Sequence, residues 1–307
     1  MRMSLADNIN KLRKERDALI LSHTYQPPEI QDIADFVGDS YGLSKRAAEV
    51  DKELIVFCGV KFMAETAAIL NPGRTVLLPD MNAGCPMADM ITADELRQLK
   101  AKHPDAAVVC YVNSTAEVKA ESTVCCTSSN AVQIVNSLRD APEIIFVPDQ
   151  YLGKFVERQT GRSMILWDGY CPTHAAVQVD TLKRMRTLHP GAEVMVHPEC
   201  PPDVQDEADH ILSTGQMCEL VVETSCRQFI VGTEQGIIHT LKKIAPQIDF
   251  ISLSPLLLCP NMKKITLSKI ERALESSSPA VVVPPEIAQR ARKAVEAMLE
   301  TVEGSSK

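Results

Sequence analysis

Three Cys-Pro steps divide this chain into three similar parts. Cys85, Cys171 and Cys259 are each followed by proline and stand 86 and 88 residues apart. Each cysteine closes a segment in which an apolar run, a helical pattern and a second apolar run follow one another. The three segments read ELIVFCGVKFMAETAAILNPGRTVLLPDMNAGC, EIIFVPDQYLGKFVERQTGRSMILWDGYC and QFIVGTEQGIIHTLKKIAPQIDFISLSPLLLC. This repeat restricts the chain to folds that contain three copies of one unit.

The apolar runs have the character of buried parallel strands. They are short, rich in β-branched residues and alternate with helical patterns, which is typical of parallel sheets covered by helices on both faces. The sequence therefore predicts an α/β fold with three α/β/α sandwich domains, related by a pseudo-threefold axis and with the active site at their junction. The predicted domains are residues 1–85, 86–171 and 172–259. Residues 260–307 are predicted to form a partial fourth repeat that packs back on the first domain.

Polar residues recur with the same period as the cysteines. Because ligands collect at the carboxyl ends of parallel strands, residues just past the strands are candidate site residues. Hydroxyl groups where a helix begins are suited to binding phosphate or carboxylate groups. The three recurring sets are His23, Tyr111 and His197; Tyr25, Asn113 and Glu199; and Ser40, Ser128 and Thr214.

One cysteine from each repeat can bring three thiolates to a single point. We predict that Cys85, Cys171 and Cys259 ligate a metal. Thiolates suit soft metals, either zinc or an iron–sulfur cluster, and the spacing alone does not separate the two. A [4Fe–4S] cluster usually has four cysteine ligands, so three leave one iron open to act as a Lewis acid. Five other cysteines lie in or beside apolar runs and are predicted to be core residues: Cys58, Cys110, Cys125, Cys218 and Cys226.

Three of the seven histidines are predicted to be functional. His23 and His197 end strands at the predicted ligand face. His174 follows Cys171 by three residues, which favours contact with substrate or with the metal ligands. The other four are predicted to be structural or surface residues: His103, His189, His210 and His239.

Glu199 is the candidate general acid and base. Its counterparts in the other repeats are Tyr25 and Asn113, and it lies close to His197 and to the predicted metal. Tyr25 and Tyr111 are two of only five tyrosines, and both fall on ligand positions of the repeat. We therefore predict that both take part in the site.

Composition excludes several classes of function. The formal charge of −8 and the lack of a basic cluster argue against nucleic-acid binding. No apolar run approaches the 18 or so residues of a membrane span, and the amino-terminal helical pattern is charged, unlike a signal peptide. Ten cysteines in such a chain indicate reduced thiols and a cytoplasmic location. Glycine-rich nucleotide-binding motifs are absent from the sequence.

Short motifs along almost the whole chain are similar to those of one enzyme family. They are His23-Thr24-Tyr25-Gln26, Gly38-Asp39-Ser40, Leu78-Pro79-Asp80, Ala83-Gly84-Cys85, Tyr111-Val112-Asn113, Thr127-Ser128-Ser129-Asn130-Ala131, Trp167-x-Gly169-x-Cys171-x-x-His174, His197-Pro198-Glu199-Cys200, Ser213-Thr214-Gly215 and Cys259-Pro260-Asn261-Met262. On these motifs the chain resembles the quinolinate synthase family, iron–sulfur enzymes of de novo NAD biosynthesis. It departs from the family at Thr24, where asparagine is usual, and it lacks the extra cysteines that some members carry before the last ligand.

The resemblance implies a cofactor, a reaction and partners. The cofactor is a [4Fe–4S] cluster held by one cysteine from each of three α/β domains. In the reaction, iminoaspartate condenses with dihydroxyacetone phosphate to form quinolinate, with loss of phosphate and water. Both substrates are small anions, and the implied partner is an L-aspartate oxidase or dehydrogenase that produces iminoaspartate.

This reaction allows roles to be predicted for the site residues. Tyr25 and His23 are predicted to move protons around the triose carbons. Glu199 is predicted to act in tautomerisation and ring closure. The predicted substrate-binding residues are His23, Ser40, Tyr111, Asn113, Ser128, His174, His197, Glu199 and Thr214.

Two alternatives use the same residues differently. The first is a zinc lyase or hydrolase with a three-cysteine site. The second is a threefold binding protein for anionic metabolites, in which the cysteines are merely buried. Iron and sulfide content separates the first from a cluster enzyme, and tolerance of Cys171→Ser separates the second.

Overall fold

Three four-stranded parallel sheets succeed one another along the chain. The computed structural model describes residues 4–49 and 51–304. Each sheet has the same strand order: the second strand of the unit, then the first, the third and the fourth. All pairs between these strands are parallel. The predicted architecture of three similar α/β units is therefore confirmed.

The three units contain equivalent elements in the same succession. The first unit consists of α1 (Leu5–Glu15), β1 (Ala18–His23), α2 (Pro28–Ile33), β2 (Phe36–Gly38), α3 (Ser40–Glu49), β3 (Leu54–Cys58), α4 (Lys61–Leu70) and β4 (Thr75–Leu77). The second consists of α5 (Ala93–Lys102), β5 (Ala106–Tyr111), α6 (Ala116–Ala120), β6 (Val124–Cys126), α7 (Ala131–Ser137), β7 (Glu143–Val147), α8 (Gln150–Thr160) and β8 (Ile165–Leu166). The third consists of α9 (Pro172–Ala175), α10 (Val179–Leu188), β9 (Glu193–Val196), α11 (Pro202–Asp206), β10 (His210–Ile211), α12 (Thr214–Glu223), β11 (Gln228–Gly232), α13 (Ile237–Ile244) and β12 (Asp249–Ser252).

Local sequence explains where several helices begin. Ser4 and Asp7 form a capping box at the start of α1, and Thr92 and Glu95 form one at the start of α5. In each box the hydroxyl accepts a hydrogen bond from a free backbone amide, and the carboxylate accepts one in return. The helix that begins each of the first two units is thus specified by the same short signal.

The central strands are buried along their length. All six residues of β1 and all five of β3 are buried, as the continuous apolar runs predict. One cluster of buried apolar side chains continues from the first unit through the second and onto one face of the third sheet. The other face of the third sheet has a smaller core of its own. The units are therefore joined by apolar packing that positions their strand ends against one another.

The carboxyl-terminal segment contacts two units. It contains a short 3-10 turn (Met262–Lys264), α14 (Leu267–Ser276) and α15 (Pro285–Gly304). Helix α14 packs on the first unit, against α1. In addition, α15 packs against α6 and β6 of the second unit as well as α4 of the first.

The apolar run near Val281 resembles a strand in sequence but does not form one. It makes one antiparallel bridge to β4, in which the Val281 amide donates to the Val76 carbonyl over 2.8 Å. Pro279 and Pro284 flank the run and carry no amide hydrogen, so a longer ladder cannot form. Val282 is consequently 83% exposed.

No helix in the described parts of the chain is long and apolar enough to cross a membrane.

Candidate active site

The residues predicted from the repeat line one cavity at the junction of the three units. The cavity has a volume of about 70 Å³ and lies at the carboxyl ends of the strands. Its lining includes every predicted site residue: His23, Tyr25, Ser40, Cys85, Tyr111, Asn113, Ser128, Cys171, His174, His197, Glu199, Thr214 and Cys259. The structure thus brings these residues together, while their individual roles stay predictions.

Two equivalent histidines have the same local geometry. His23 Nδ1 accepts a hydrogen bond from the Tyr25 amide at 3.1 Å, and His197 Nδ1 accepts one from the Glu199 amide at 3.2 Å. The ring proton of each histidine must therefore be on Nε2. Burial lowers the pKa of His23 and of His197 to about 3, and repulsion from His197 in its protonated form adds to the shift of His23. Both rings are neutral near pH 7, and each offers an N–H donor.

Glu199 is the centre of a buried hydrogen-bond network. Its Oε2 lies 2.7 Å from His174 Nδ1, and its Oε1 accepts from the Tyr111 hydroxyl at 2.6 Å and from Asn113 Nδ2 at 3.3 Å. Burial acts to raise the pKa of Glu199, but the interactions with His174 and Tyr111 outweigh it and lower that pKa below its ordinary value. Glu199 is therefore an ionised carboxylate held by donors from the second and third units.

A second chain of hydrogen bonds joins Tyr25 to this network. The Tyr25 hydroxyl lies 2.5 Å from Thr233 Oγ1, which lies 2.8 Å from His174 Nε2. Burial and the negative charge of Glu199 raise the pKa of Tyr25 well above its ordinary value. Tyr25 thus keeps its proton and can act as a donor.

The three cysteines form a donor set suited to a soft metal. Each is a free thiol of intermediate burial in the lining of the same cavity. Burial raises the pKa of Cys85 to about 12, and it raises the pKa values of Cys171 and Cys259 as well. Negative charge on Cys259 adds to the rise in the pKa of Cys85, and negative charge on Cys85 adds to the rise in the pKa of Cys171. A bound cation would compensate these charges and stabilise the thiolates. The residues present therefore fit a thiolate-bound cluster.

Another group of potential metal ligands lies beside the cysteines. Atoms of Cys171, His174 and Glu199 lie within 4.8 Å of one another. However, His174 Nδ1 is at hydrogen-bond distance from both Glu199 Oε2 (2.7 Å) and Cys171 Sγ (3.2 Å). Since the ionised Glu199 carboxylate can only accept, that nitrogen carries a proton and is not free to bind a metal. We interpret this group as a hydrogen-bond network at the edge of the predicted metal site.

The three hydroxyl residues lie at or near helix starts. Ser40 and Thr214 are the first residues of α3 and α12, and Ser128 lies in the turn before α7. The Ser128 hydroxyl is 3.2 Å from His197 Nε2. The Asp39 carboxylate accepts a hydrogen bond from the Gly42 amide at 2.8 Å and so occupies part of the α3 terminus. An anion at this edge would therefore be bound by side-chain hydroxyl groups more than by free backbone amides.

Comparison with known proteins assigns the family. A profile described as "Quinolinate synthetase A protein" matches residues 7–300. The chain belongs to this family. It is 53% identical to a quinolinate synthase of Dehalococcoides mccartyi (strain CBDB1), over 97% of this chain and 98% of the relative. It is 52% identical to a quinolinate synthase of Desulforudis audaxviator and 49% identical to quinolinate synthase 1 of Methanosarcina acetivorans, each over 96% of this chain and 97% of the relative.

Sequence reasoning missed a set of residues just past the third strand of each unit. Glu234 follows β11 by two residues, and its counterparts after β3 and β7 are Val60 and Asp149. Glu234 Oε1 accepts hydrogen bonds from the Cys259 amide at 3.2 Å and from Lys263 Nζ at 2.8 Å. The Lys263 ammonium also donates to the Tyr25 carbonyl. The repeat period could have located this position, but its residue types differ in each copy and therefore form no visible pattern.

Proposed function

We infer that the chain is a quinolinate synthase that condenses iminoaspartate with dihydroxyacetone phosphate. The observation that carries this inference is a single cavity that holds three thiols beside a buried, hydrogen-bonded carboxylate. Membership in the family supplies the name of the reaction. The cavity residues allow parts of the reaction to be assigned to particular side chains.

We propose that the three cysteines hold a [4Fe–4S] cluster. Cys85, Cys171 and Cys259 would be its protein ligands, one from each unit. When bound, such a cluster supplies an iron without a protein ligand, which can act as a Lewis acid toward a hydroxyl group. Glu234 and Lys263 support the Cys259 end of this site through the backbone contact described above.

The polar lining is suited to small anions. The hydroxyl groups of Ser40, Ser128 and Thr214 can donate to a phosphate or a carboxylate, and each comes from a different unit. The Nε2 protons of His23 and His197 add two neutral donors. Neutral donors bind an anion without leaving a buried positive charge once the phosphate or water has left.

Asn113 is suited to orienting the imine. Its Nδ2 donates to Glu199 Oε1, and its Oδ1 is buried without a hydrogen-bond partner among the described residues. A buried amide oxygen without a partner is costly unless a ligand supplies the donor. The N–H of iminoaspartate is such a donor.

Proton transfer is assigned to Tyr25 and Glu199. Tyr25 keeps its hydroxyl proton and can donate it to a developing oxyanion. Glu199 is ionised and can accept a proton during tautomerisation before ring closure. We assign to His23, whose neutral ring donates through Nε2, the orientation of the triose while Tyr25 transfers the proton.

Several broader assignments accompany this function. We propose that residues 1–85, 86–171 and 172–259 are the three domains and that residues 260–307 form a partial repeat that packs back on the first domain. We further propose that the protein is cytoplasmic, where ten free thiols stay reduced. Iminoaspartate would come from an L-aspartate oxidase or dehydrogenase.

An anaerobic assay tests the function. Cluster-loaded protein receives dihydroxyacetone phosphate and iminoaspartate generated in situ, and quinolinate is measured. Failure of the cluster-loaded protein to form quinolinate would reject the proposal.

Cys171→Ser tests the cysteine assignment. We expect it to remove the brown chromophore and the activity together, whereas Cys58→Ser, a change at a buried core position outside the cavity, should keep cluster and activity in whatever protein folds. Zinc without acid-labile sulfide in the wild-type protein would favour the zinc alternative. A colourless protein that is indifferent to Cys171→Ser would favour a simple binding protein.

A further inference from the structure

Three buried polar side chains outside the cavity recur with the same period as the site residues. They are Gln31, Lys119 and Gln205, which stand 88 and 86 residues apart. Each belongs to the short helix that follows the first strand of its unit: α2, α6 and α11. Because a buried amide or ammonium group has to be hydrogen-bonded, the partners of these side chains indicate what they do.

The glutamine of the first unit holds the loop after β1. Gln31 Nε2 donates to the Thr24 carbonyl at 3.0 Å and to the Gln26 carbonyl at 2.8 Å. These two carbonyls flank the predicted site residue Tyr25. The side-chain oxygen of Gln31 accepts from Thr240 Oγ1 at 2.6 Å. Because Thr240 belongs to α13, Gln31 connects this loop to the third unit.

The glutamine of the third unit makes the same kind of contacts. Gln205 Nε2 donates to the Pro198 carbonyl at 2.8 Å and to the Cys200 carbonyl at 2.7 Å. These two carbonyls flank Glu199. The side-chain oxygen of Gln205 accepts from the guanidinium of Arg158, which belongs to α8 of the second unit. Gln205 therefore connects the Glu199 loop to the second unit.

Lysine takes the place of glutamine in the second unit. Lys119 Nζ donates to the Ser114 carbonyl at 2.6 Å, directly after the site residue Asn113. The neighbouring helix at this point is α4 of the first unit, which places the Phe62 ring centroid 5.4 Å from Nζ. An aromatic face attracts a cation but offers an amide oxygen no N–H or O–H donor. An ammonium group therefore fits this position.

The three sets of contacts run around the pseudo-threefold axis in one direction. The loop of the first unit is held against the third unit, that of the third against the second, and that of the second against the first. In each case the neighbouring helix is the one that follows the third strand of its unit. The arrangement is the same in all three units although the residue types differ, which favours a common role.

We propose that Gln31, Lys119 and Gln205 are positioning residues, each of which holds the loop of one site residue against the neighbouring unit. This inference rests on the proposed function. Each side chain acts through the site residue whose loop it holds, without touching substrate. Because reacting groups must meet in a narrow range of geometry, a small displacement of such a loop is enough to slow the reaction.

Two substitutions of Lys119 separate the hydrogen bond from the volume of the side chain. Lys119→Met keeps an unbranched chain of similar length without a donor, whereas Lys119→Gln introduces the residue that the other two units use. We expect Lys119→Met to lower kcat by about 10- to 100-fold and Lys119→Gln to stay within about threefold of wild type. Lys102→Met, at an exposed position of the same unit, is the control and should leave kcat unchanged.

Hydrogen exchange of the cluster-loaded, substrate-free protein measures the positioning without the reaction. In Lys119→Met, the amides of residues 112–115 should exchange about 10-fold faster or more, while those of β5 stay as in the wild-type protein. In Lys119→Gln, both sets should match the wild-type protein. A merely structural role predicts faster exchange throughout the second unit. If Lys119→Met does not fold, Gln31→Met provides the same test through the amides of residues 24–26.

The outcomes are distinct from those of the functional proposal. Cluster-loaded wild-type protein that makes no quinolinate rejects the function, and exchange at residues 112–115 still decides whether Lys119 holds the loop. With active wild-type protein, an unaffected Lys119→Met variant or equal losses for Lys119→Met and Lys119→Gln would overturn only the positioning role. Unchanged exchange at residues 112–115 in Lys119→Met would overturn it as well.

Discussion

At the scale of single residues, the site depends on groups that hold the functional side chains in place. His23 and His197 are each held by the amide two residues further on, and Glu199 is held by Tyr111 and His174. These contacts fix the protonation of each group before substrate binds. They favour neutral rings for the two histidines and an ionised carboxylate for Glu199. Glu234 holds the Cys259 backbone in a similar way.

Glu234→Gln should weaken retention of the cluster. The glutamate accepts from the Cys259 amide and from Lys263, and a neutral amide loses the charged part of both contacts. We expect cluster loss to a chelator about 10- to 100-fold faster than in the wild-type protein, as for other residues that support metal ligands. The measurement is iron and acid-labile sulfide per chain against time. Glu223→Gln, at an exposed position of the same unit, is the control, and equal loss rates for both variants would contradict this role.

At the scale of elements, ion pairs between helices hold the carboxyl-terminal segment. Glu121, directly after α6, accepts from Arg97 of α5 at 2.9 Å and from Arg290 of α15 at 2.8 Å. Lys100 of α5 lies 3.4 Å from the same carboxylate. Burial acts to raise the pKa of Glu121, but the hydrogen bonds from Arg97 and Arg290 outweigh it and lower that pKa to about 2. The carboxylate therefore ties α5 and α15 together.

This cluster makes stability depend on pH in a defined direction. Because the pKa of Glu121 is lowered on folding, its contribution is complete above the ordinary glutamate pKa of about 4.5 and is lost as pH falls toward about 2. Glu121→Gln should cost about 1–2 kcal/mol at pH 7, since the partners are half exposed and solvent screens them. The cost should diminish below about pH 4.

Thermal midpoints at pH 7 and at pH 3 measure this effect. Glu117→Gln, on the exposed face of α6, is the matched control and should change neither midpoint. A difference between Glu121→Gln and the wild-type protein that persists unchanged at pH 3 would argue against the ion-pair origin.

At the scale of the whole molecule, apolar packing joins the three units independently of the site. Buried apolar side chains continue across all three, and each unit has its own hydrogen-bonded sheet. The three cysteines proposed as metal ligands are on loops after the sheets, half-buried at the edge of this packing. Removal of the metal should therefore affect the site much more than the fold.

Metal-free protein should keep its secondary structure and lose its activity. We expect the far-ultraviolet circular dichroism of chelated protein to match that of the loaded protein, because the sheets and the apolar core do not depend on the cysteines. Incubation with iron and sulfide should restore both colour and quinolinate formation. Loss of helical signal on chelation would show instead that the metal is part of the folding core.

Much of this molecule could be predicted from its sequence. The strands were recognisable as apolar β-branched runs, and a period of 86 to 88 residues marked three separate sets of equivalent positions, to which the cysteines, His23 and Glu199 belong. The short strands β2, β6 and β10 have only two or three residues and too little pattern to be recognised. Near Val281, the prolines outweighed an apolar run that resembles a strand.

The repeat pattern by itself determined which residues face the common axis, because parallel strands of equal length bring their carboxyl ends to one edge of each sheet. Only the tertiary structure decided how those residues are paired. Thr233 lies between Tyr25 and His174, and Glu234 behind Cys259, through contacts between distant parts of the chain. Such contacts depend on how three sheets pack side by side, and no local pattern specifies that packing. The three cysteines of the opening repeat therefore predicted where a site forms, and the packing of the units decided which groups position it.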